Sequence, residues 1–141
     1  MRLPLTRIDT DLPMPEFKTA GAVAFDVYAR ERTEISPAAL SYIPTNLIVR
    51  IPEGYCLMLA SRSSTPRKGL LIPHGMGLID QDFCGPKDEM LLLVYNFTQT
   101  AVVVERGERI AQAMLVPIVK PEIAELDMTA DKSRGCFGST G

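Results

Sequence analysis

Arg62-Ser63-Ser64, with Lys68 and Gly69 close behind, sets a guanidinium, two hydroxyls and an ammonium within one short stretch. A guanidinium takes a phosphate bidentately, and hydroxyls and N–H groups at the start of a helical turn add donors aimed at an anion. The same Ser-Ser pair also suits a plain helix cap. Downstream, Gly77-Leu78-Ile79-Asp80-Gln81-Asp82-Phe83-Cys84-Gly85 carries its carboxylates in a turn between strands. Asp80, behind two apolar residues, is expected half-buried at a strand end, where a carboxylate acts as general base on water. Phe83 offers a flat ring to a sugar or base, and the alternative is a hairpin whose aspartates cap its turn. Gly107-Glu108-Arg109-Ile110-Ala111-Gln112 opens a strand. Its Arg109 and Gln112 serve either phosphate or neighbouring acids and backbone. His74 is the sole histidine, and nothing in the sequence marks it as a metal ligand or acid–base group.

The chain closes on Arg134-Gly135-Cys136-Phe137-Gly138-Ser139-Thr140-Gly141. Glycines leave backbone N–H groups free to face an anion. Arg134 suits a phosphate, and Phe137 can lie flat on a base or sugar. Read alone, such a terminus is a solvated tail. Beside the upstream stretches, it reads as a lid for a phosphorylated aromatic ligand.

Short β segments must position these residues. Candidate strands are Val23–Ala29, Tyr42–Arg50, Tyr55–Ser61, Met90–Phe97, Ala101–Glu105 and Ile110–Val119. Ile51-Pro52-Glu53-Gly54 and Glu105-Arg106-Gly107-Glu108 read as tight turns. Eleven prolines and ten glycines break any long helical period, leaving only a helical turn over Ser63–Lys68. Evenly spaced strands without alternating helices imply an all-β sandwich, jelly roll or barrel. Leu91-Leu92-Leu93-Val94 is apolar on both alternate positions, as in a strand covered on both faces. The second cover is either another subunit or a loop of the same chain.

With 141 residues, the chain is one ordinary domain that needs no disulfide or structural metal to form a core. A net charge of −2 lacks the basic excess of nucleic-acid or membrane-surface binders. Cys56, Cys84 and Cys136 are odd in number and fall in no metal-ligand spacing, which implies a reduced, cytoplasmic protein. The N-terminal stretch has no signal-like apolar run, and no window is long enough to span a bilayer.

Taken in order, the stretches resemble the five motifs of the trimeric dUTPases over nearly the whole chain. Ala20-Gly21-Ala22-Val23-Ala24-Phe25-Asp26-Val27-Tyr28-Ala29 is similar to a loose first motif. Arg62-Ser63-Ser64 through Gly69 resembles the second, Gly77 through Gly85 the third, Gly107 through Gln112 the fourth, and Phe137 through Gly141 the end of the fifth. The resemblance implies an all-β jelly roll, or distorted barrel, in a homotrimer with shared active sites. Residues 1–133 would form the domain and residues 134–141 an active-site arm.

The implied reaction is Mg²⁺-dependent hydrolysis of dUTP to dUMP and pyrophosphate by water attack on the α-phosphorus. Carried over by position, Asp80 is the base. Arg62, Ser63, Ser64 and Gln112 contact phosphates, and Asp26 supports the Mg²⁺ water shell or the neighbouring loop. His74, Gly77, Leu78, Ile79 and Phe83 line the nucleoside site. Phe137 stacks over uracil, while Arg134, Gly138, Ser139 and Thr140 close on the phosphates. The chemistry agrees, since phosphoryl transfer needs positioning and charge neutralisation rather than covalent help.

The chain also departs from the family pattern. Phe83 stands where the family usually has tyrosine, and His74 where many members have asparagine. Pro86-Lys87-Asp88-Glu89 lengthens the third-motif hairpin, and the arm between Arg134 and Phe137 is short. Two alternatives follow: a broader pyrimidine dNTP pyrophosphatase, or a nucleotide-binding regulatory protein with little turnover. A dCTP deaminase fits less well, because Leu91-Leu92-Leu93-Val94-Tyr95-Asn96 lacks that family's glutamate.

Overall fold

The computed structural model describes residues 1–126, so Arg134, Phe137, Gly138, Ser139 and Thr140 lie outside the described residues. In chain order the strands are β1 (Leu5–Arg7), β2 (Phe25–Tyr28), β3 (Thr33–Ile35), β4 (Leu40–Pro44), β5 (Leu47–Val49) and β6 (Tyr55–Ser61). They continue with β7 (Leu70–Leu71), β8 (Met76–Ile79), β9 (Leu91–Asn96), β10 (Val102–Val104) and β11 (Arg109–Pro117). The one helical element among the described residues is a 3₁₀ turn at Pro66–Lys68, within the expected helical turn. The protein is all-β.

Every pairing is antiparallel. The larger sheets run β2-β11-β6-β8 and β4-β9-β7, beside the pairs β1-β5 and β3-β10. In β6, buried Leu57 and Leu59 alternate with half-buried Met58 and Ala60, the two-residue period of a strand with one face inward. Those leucines share one core with Val27, Ala111 and Ala113 of the same sheet and with Ile43, Leu92 and Val94 of the other. Each buried leucine stabilises the fold by about 2 kcal/mol relative to exposure.

The expected strand Tyr42–Arg50 is two strands. Asn46 breaks it with φ +68°, a left-handed conformation that asparagine tolerates better than most residues. Its side chain is held there: Nδ2 donates to the Asp9 carbonyl (2.9 Å) and Oδ1 accepts from the Asp9 N–H (2.6 Å). The strands β1, β3 and β7 were not expected, and β8 only as the strand end before Asp80; at two to four residues they are too short to display a period.

Within one chain, β9 is covered on one face only. Leu92 and Val94 point into the core, while Leu91 is 45 % exposed. The outward residues of β4, Leu40 and Tyr42, are each 60 % exposed and lie opposite Tyr95 and Leu93. Together they form a continuous apolar outer face.

Asn96 fixes the end of β9. Fully buried, it donates through Nδ2 to the carbonyls of Ile35 (3.0 Å), Ser36 (3.1 Å) and Thr100 (2.8 Å). Its Oδ1 accepts from the N–H and the hydroxyl of Thr98. Asn96→Ala strands these groups in a dry site, so urea unfolding at matched protein concentration should show a loss of about 3 kcal/mol. An unchanged midpoint would show that water replaces the amide.

Candidate functional site

Among the described residues, those singled out by sequence fall into two groups at opposite ends of one sheet. The first gathers where β2, β11 and β6 meet. Register places Asp26 opposite Gln112, and Ala111 opposite Ser61, so the first, second and fourth motifs converge through strand pairing alone. Asp26 is largely enclosed, and its Oδ1 accepts from Arg62 Nε (2.8 Å) while Oδ2 accepts from Arg109 Nη1 (3.0 Å). Arg62 Nη1 also reaches Ser64 Oγ and the Arg109 carbonyl, both at 3.4 Å. Gln112 Nε2 donates to the Ser61 carbonyl (3.0 Å).

This arrangement has a definite electrostatic sense. Two guanidiniums against one carboxylate leave a net positive charge at the sheet end. Arg62 Nη2 makes no bond among the described residues, so part of its fork remains to donate to an anion. Ser63 and Ser64 are exposed beside it. The chain turns sharply there, with Thr65 N–H donating to Arg62 O (3.0 Å) and Gly69 N–H to Pro66 O (3.0 Å). Gly69 has φ +90°, and a Cβ on it would sit 2.3 Å from Thr98 Cγ2, so a side chain there would displace the loop.

The second group lies on β8 and the turn after it. Gly77, Leu78 and Ile79 are strand residues, and Asp80 follows directly. Asp80 is not half-buried as expected but exposed, because it follows an edge strand and no segment among the described residues covers it. Its side chain makes no hydrogen bond or ion pair among the described residues. Phe83 is 39 % exposed, on the same turn, closed by Phe83 N–H donating to the Asp80 carbonyl (3.3 Å). Its far end is anchored as well. Glu89 accepts both Nε and Nη2 of Arg30 (each 2.9 Å), which holds that guanidinium above its ordinary pKa.

His74 precedes β8 and is exposed, with Nδ1 3.0 Å from the Met76 carbonyl. A carbonyl only accepts, so Nδ1 is the donor in this contact, and the tautomer with its proton there has Nε2 as an acceptor.

The two groups do not meet within one chain. Ile79 pairs with Leu57, which puts Asp80 level with Cys56, whereas Arg62 lies six residues further on, just past the end of β6. At the rise of a strand, that separation is about 20 Å. The β8 side is itself apolar and open, with Leu78 67 % exposed, and it borders Leu91 and Leu93 of the outer face.

A metal cage is absent among the described residues, where no three His, Cys, Asp or Glu side chains converge. Both oxygens of Asp26 are committed to arginines. A hard divalent cation fits such a site with phosphate oxygens and waters as its ligands. Sequence reading passed over Gln81, and it offered Arg109 a neighbouring acid without naming Asp26. Gln81 lies inside a motif but had no recognisable chemistry, and the pairing of Arg109 with Asp26 depends on strand register.

Comparison with known proteins bears on all of this. The dUTPase family model matches residues 10–141. A deoxyuridine 5′-triphosphate nucleotidohydrolase of Dinoroseobacter shibae is 36 % identical, over 94 % of this chain and 90 % of its own. That of Dictyoglomus turgidum is 34 % identical over 100 % and 99 %. Among solved structures, the Streptococcus mutans dUTPase superposes with TM-score 0.77 at 34 % identity, covering 84 % of this chain and 98 % of that one. The Staphylococcus bacteriophage 80alpha dUTPase with dUPNHPP gives 0.85 at 26 % identity, covering 99 % and 98 %.

Proposed function

The chain belongs to the dUTPase family, and on that premise we propose that it is a dUTP diphosphatase, releasing dUMP and pyrophosphate. The observation that carries this reading is an exposed carboxylate, unpaired among the described residues, at one end of a sheet whose other end bears a cationic cluster. Asp80 orients a water and takes its proton as the water attacks the α-phosphorus. Arg62, Ser63, Ser64 and the second amide proton of Gln112 hold the phosphates, with Asp26 aligning Arg62 and Arg109 beneath them. Mg²⁺ bound with the triphosphate supplies charge neutralisation on its oxygens. Asp26 bears on that ion through water at most, since its oxygens are taken by arginines.

Phe83 packs on the deoxyribose, and the backbone of Gly77, Leu78 and Ile79 lines the base site with His74. Phe137 stacks on uracil, with Arg134, Gly138, Ser139 and Thr140 of the arm closing on the phosphates. These assignments follow the family's motifs.

A base acting on water at the α-phosphorus lies within a hydrogen bond of that water. Phosphate donors must then sit close by, which a separation of about 20 Å along β6 does not allow in one chain. A second copy that brings its β8 turn to this chain's arginine cluster removes the difficulty. The apolar outer face of β4 and β9 gives such a copy something to bury. The reading is therefore an assembly with shared sites, and the family's motifs imply that it is a jelly-roll homotrimer. No helix among the described residues is long and apolar enough to cross a membrane. The free thiols of Cys56 and Cys84 suit a reducing cytoplasm.

The test is pyrophosphate release from dUTP, dCTP, dTTP and UTP, with and without Mg²⁺. With His74 Nε2 as an acceptor, uracil N3–H finds a partner, while cytosine N3 presents a second lone pair. Turnover of dUTP should exceed that of dCTP at least about 10-fold, the scale of one mismatched polar contact. Equal dCTP turnover would select the broader pyrimidine pyrophosphatase. Tight dUTP binding without turnover would select the regulatory reading.

A further inference from the structure

Gln81 follows Asp80 and occupies the first corner of the turn closed by the Asp80 carbonyl and the Phe83 N–H. Its amide Nε2 donates to the carbonyls of Pro52 (3.1 Å) and Tyr55 (3.0 Å), and its Oε1 accepts from Lys120 Nζ (2.9 Å). Both amide protons are thus used, along with an oxygen lone pair. The two carbonyls belong to the turn leading into β6, itself closed by Tyr55 N–H on Pro52 O (3.2 Å) with Gly54 at φ +78°. Lys120 lies just beyond the end of β11. Register explains the meeting, since Asp80 is level with Cys56 and the next residue along therefore reaches Tyr55. Among the described residues, no other side chain between Asp80 and Phe83 is hydrogen-bonded to another element. Asp80 itself is exposed and untethered.

We propose that Gln81 is the positioning residue for Asp80, pinning its turn to the β5–β6 turn and to the segment after β11. This rests on the reading of Asp80 as the base. A carboxylate on an unpinned, exposed turn samples many orientations, and misplacement of a reacting group by about 1 Å is enough to cost up to roughly 100-fold in rate. The residue type is specific: a glutamate has the same shape but no proton to donate, and would set an oxygen against two carbonyls.

Two variants test this in the full chain. Gln81→Met keeps the length and loses all three hydrogen bonds. Gln81→Glu keeps the shape and the Lys120 contact but loses both donors. For each, kcat with dUTP should fall about 10- to 100-fold. KM, binding of a non-hydrolysable dUTP analogue and the thermal midpoint should stay close to the parent. In a double-mutant cycle, adding Gln81→Met to Asp80→Asn should cost nothing further, because the residue acts through the carboxylate.

Parental kcat in either variant would overturn the proposal. So would a loss of kcat that comes with lost analogue binding and a lowered midpoint, or one that multiplies fully onto Asp80→Asn. Active Gln81 variants beside an inactive Asp80→Asn sink this proposal alone. Near-parental turnover in Asp80→Asn removes the reading of the base, and this proposal with it.

Discussion

Asp80→Asn should lower dUTP turnover about 10³-fold, the contribution of a well-placed general base, while leaving fold, assembly and analogue binding intact. The structure makes this a clean substitution. Asp80 is exposed, its side chain bonds to nothing among the described residues, and its turn is closed by backbone and by neighbouring residues. The amide keeps the volume but loses the negative charge and, with it, the capacity to take a proton. Steady-state kinetics with a pyrophosphate readout, alongside calorimetric binding of the analogue, separate the two quantities. A rate within a few-fold of the parent would take Asp80 out of the role of base.

Asp26→Asn should act at the other end of the sheet and differently. Asp26 neutralises and aligns two guanidiniums at once, through Arg62 Nε and Arg109 Nη1. An amide offers one acceptor oxygen and turns its N–H group towards the second arginine. Both forks then lose their alignment towards the phosphates, and kcat/KM should fall about 100-fold. Analogue binding should weaken here, where Asp80→Asn leaves it unchanged.

The two inactive variants combined make a sharper test. If each site takes its β8 turn from one copy and its arginine cluster from another, random mixing in equal amounts restores about a quarter of the sites (½ × ½) in a closed symmetric assembly. A site built within one chain would recover nothing. That result would remove the shared-site reading while leaving the assignment of either residue untouched.

Much of this was legible in the sequence, and the remainder has identifiable physical causes. The motif stretches are local, so Arg62-Ser63-Ser64 and Gly77 through Gly85 could be found without a fold. Convergence of Asp26, Arg62 and Gln112 depends on pairing β11 with both β2 and β6, which no local pattern encodes. The break at Asn46 escaped notice because apolar residues flank Pro44-Thr45-Asn46 on both sides, and long-range bonds from the Asn46 side chain to Asp9 and from its N–H to Glu89 hold the left-handed turn. Asp80 was misread as half-buried. Two apolar predecessors imply a buried strand, yet β8 is an edge strand and Leu78 itself points outward. Gln81 was passed over because its role lies in what it touches rather than in what it is.

The length of β6 has a consequence for the cell as well as for the site. On the shared-site reading, a newly made chain would carry both halves of the chemistry and no complete centre, since seven residues of strand hold them apart. Hydrolysis would then begin only once copies meet. Near the assembly threshold, the rate would climb more steeply than the amount of protein made. Abundance, set by synthesis and degradation, would thus govern when the activity exists at all, before any nucleotide level governs how fast it runs.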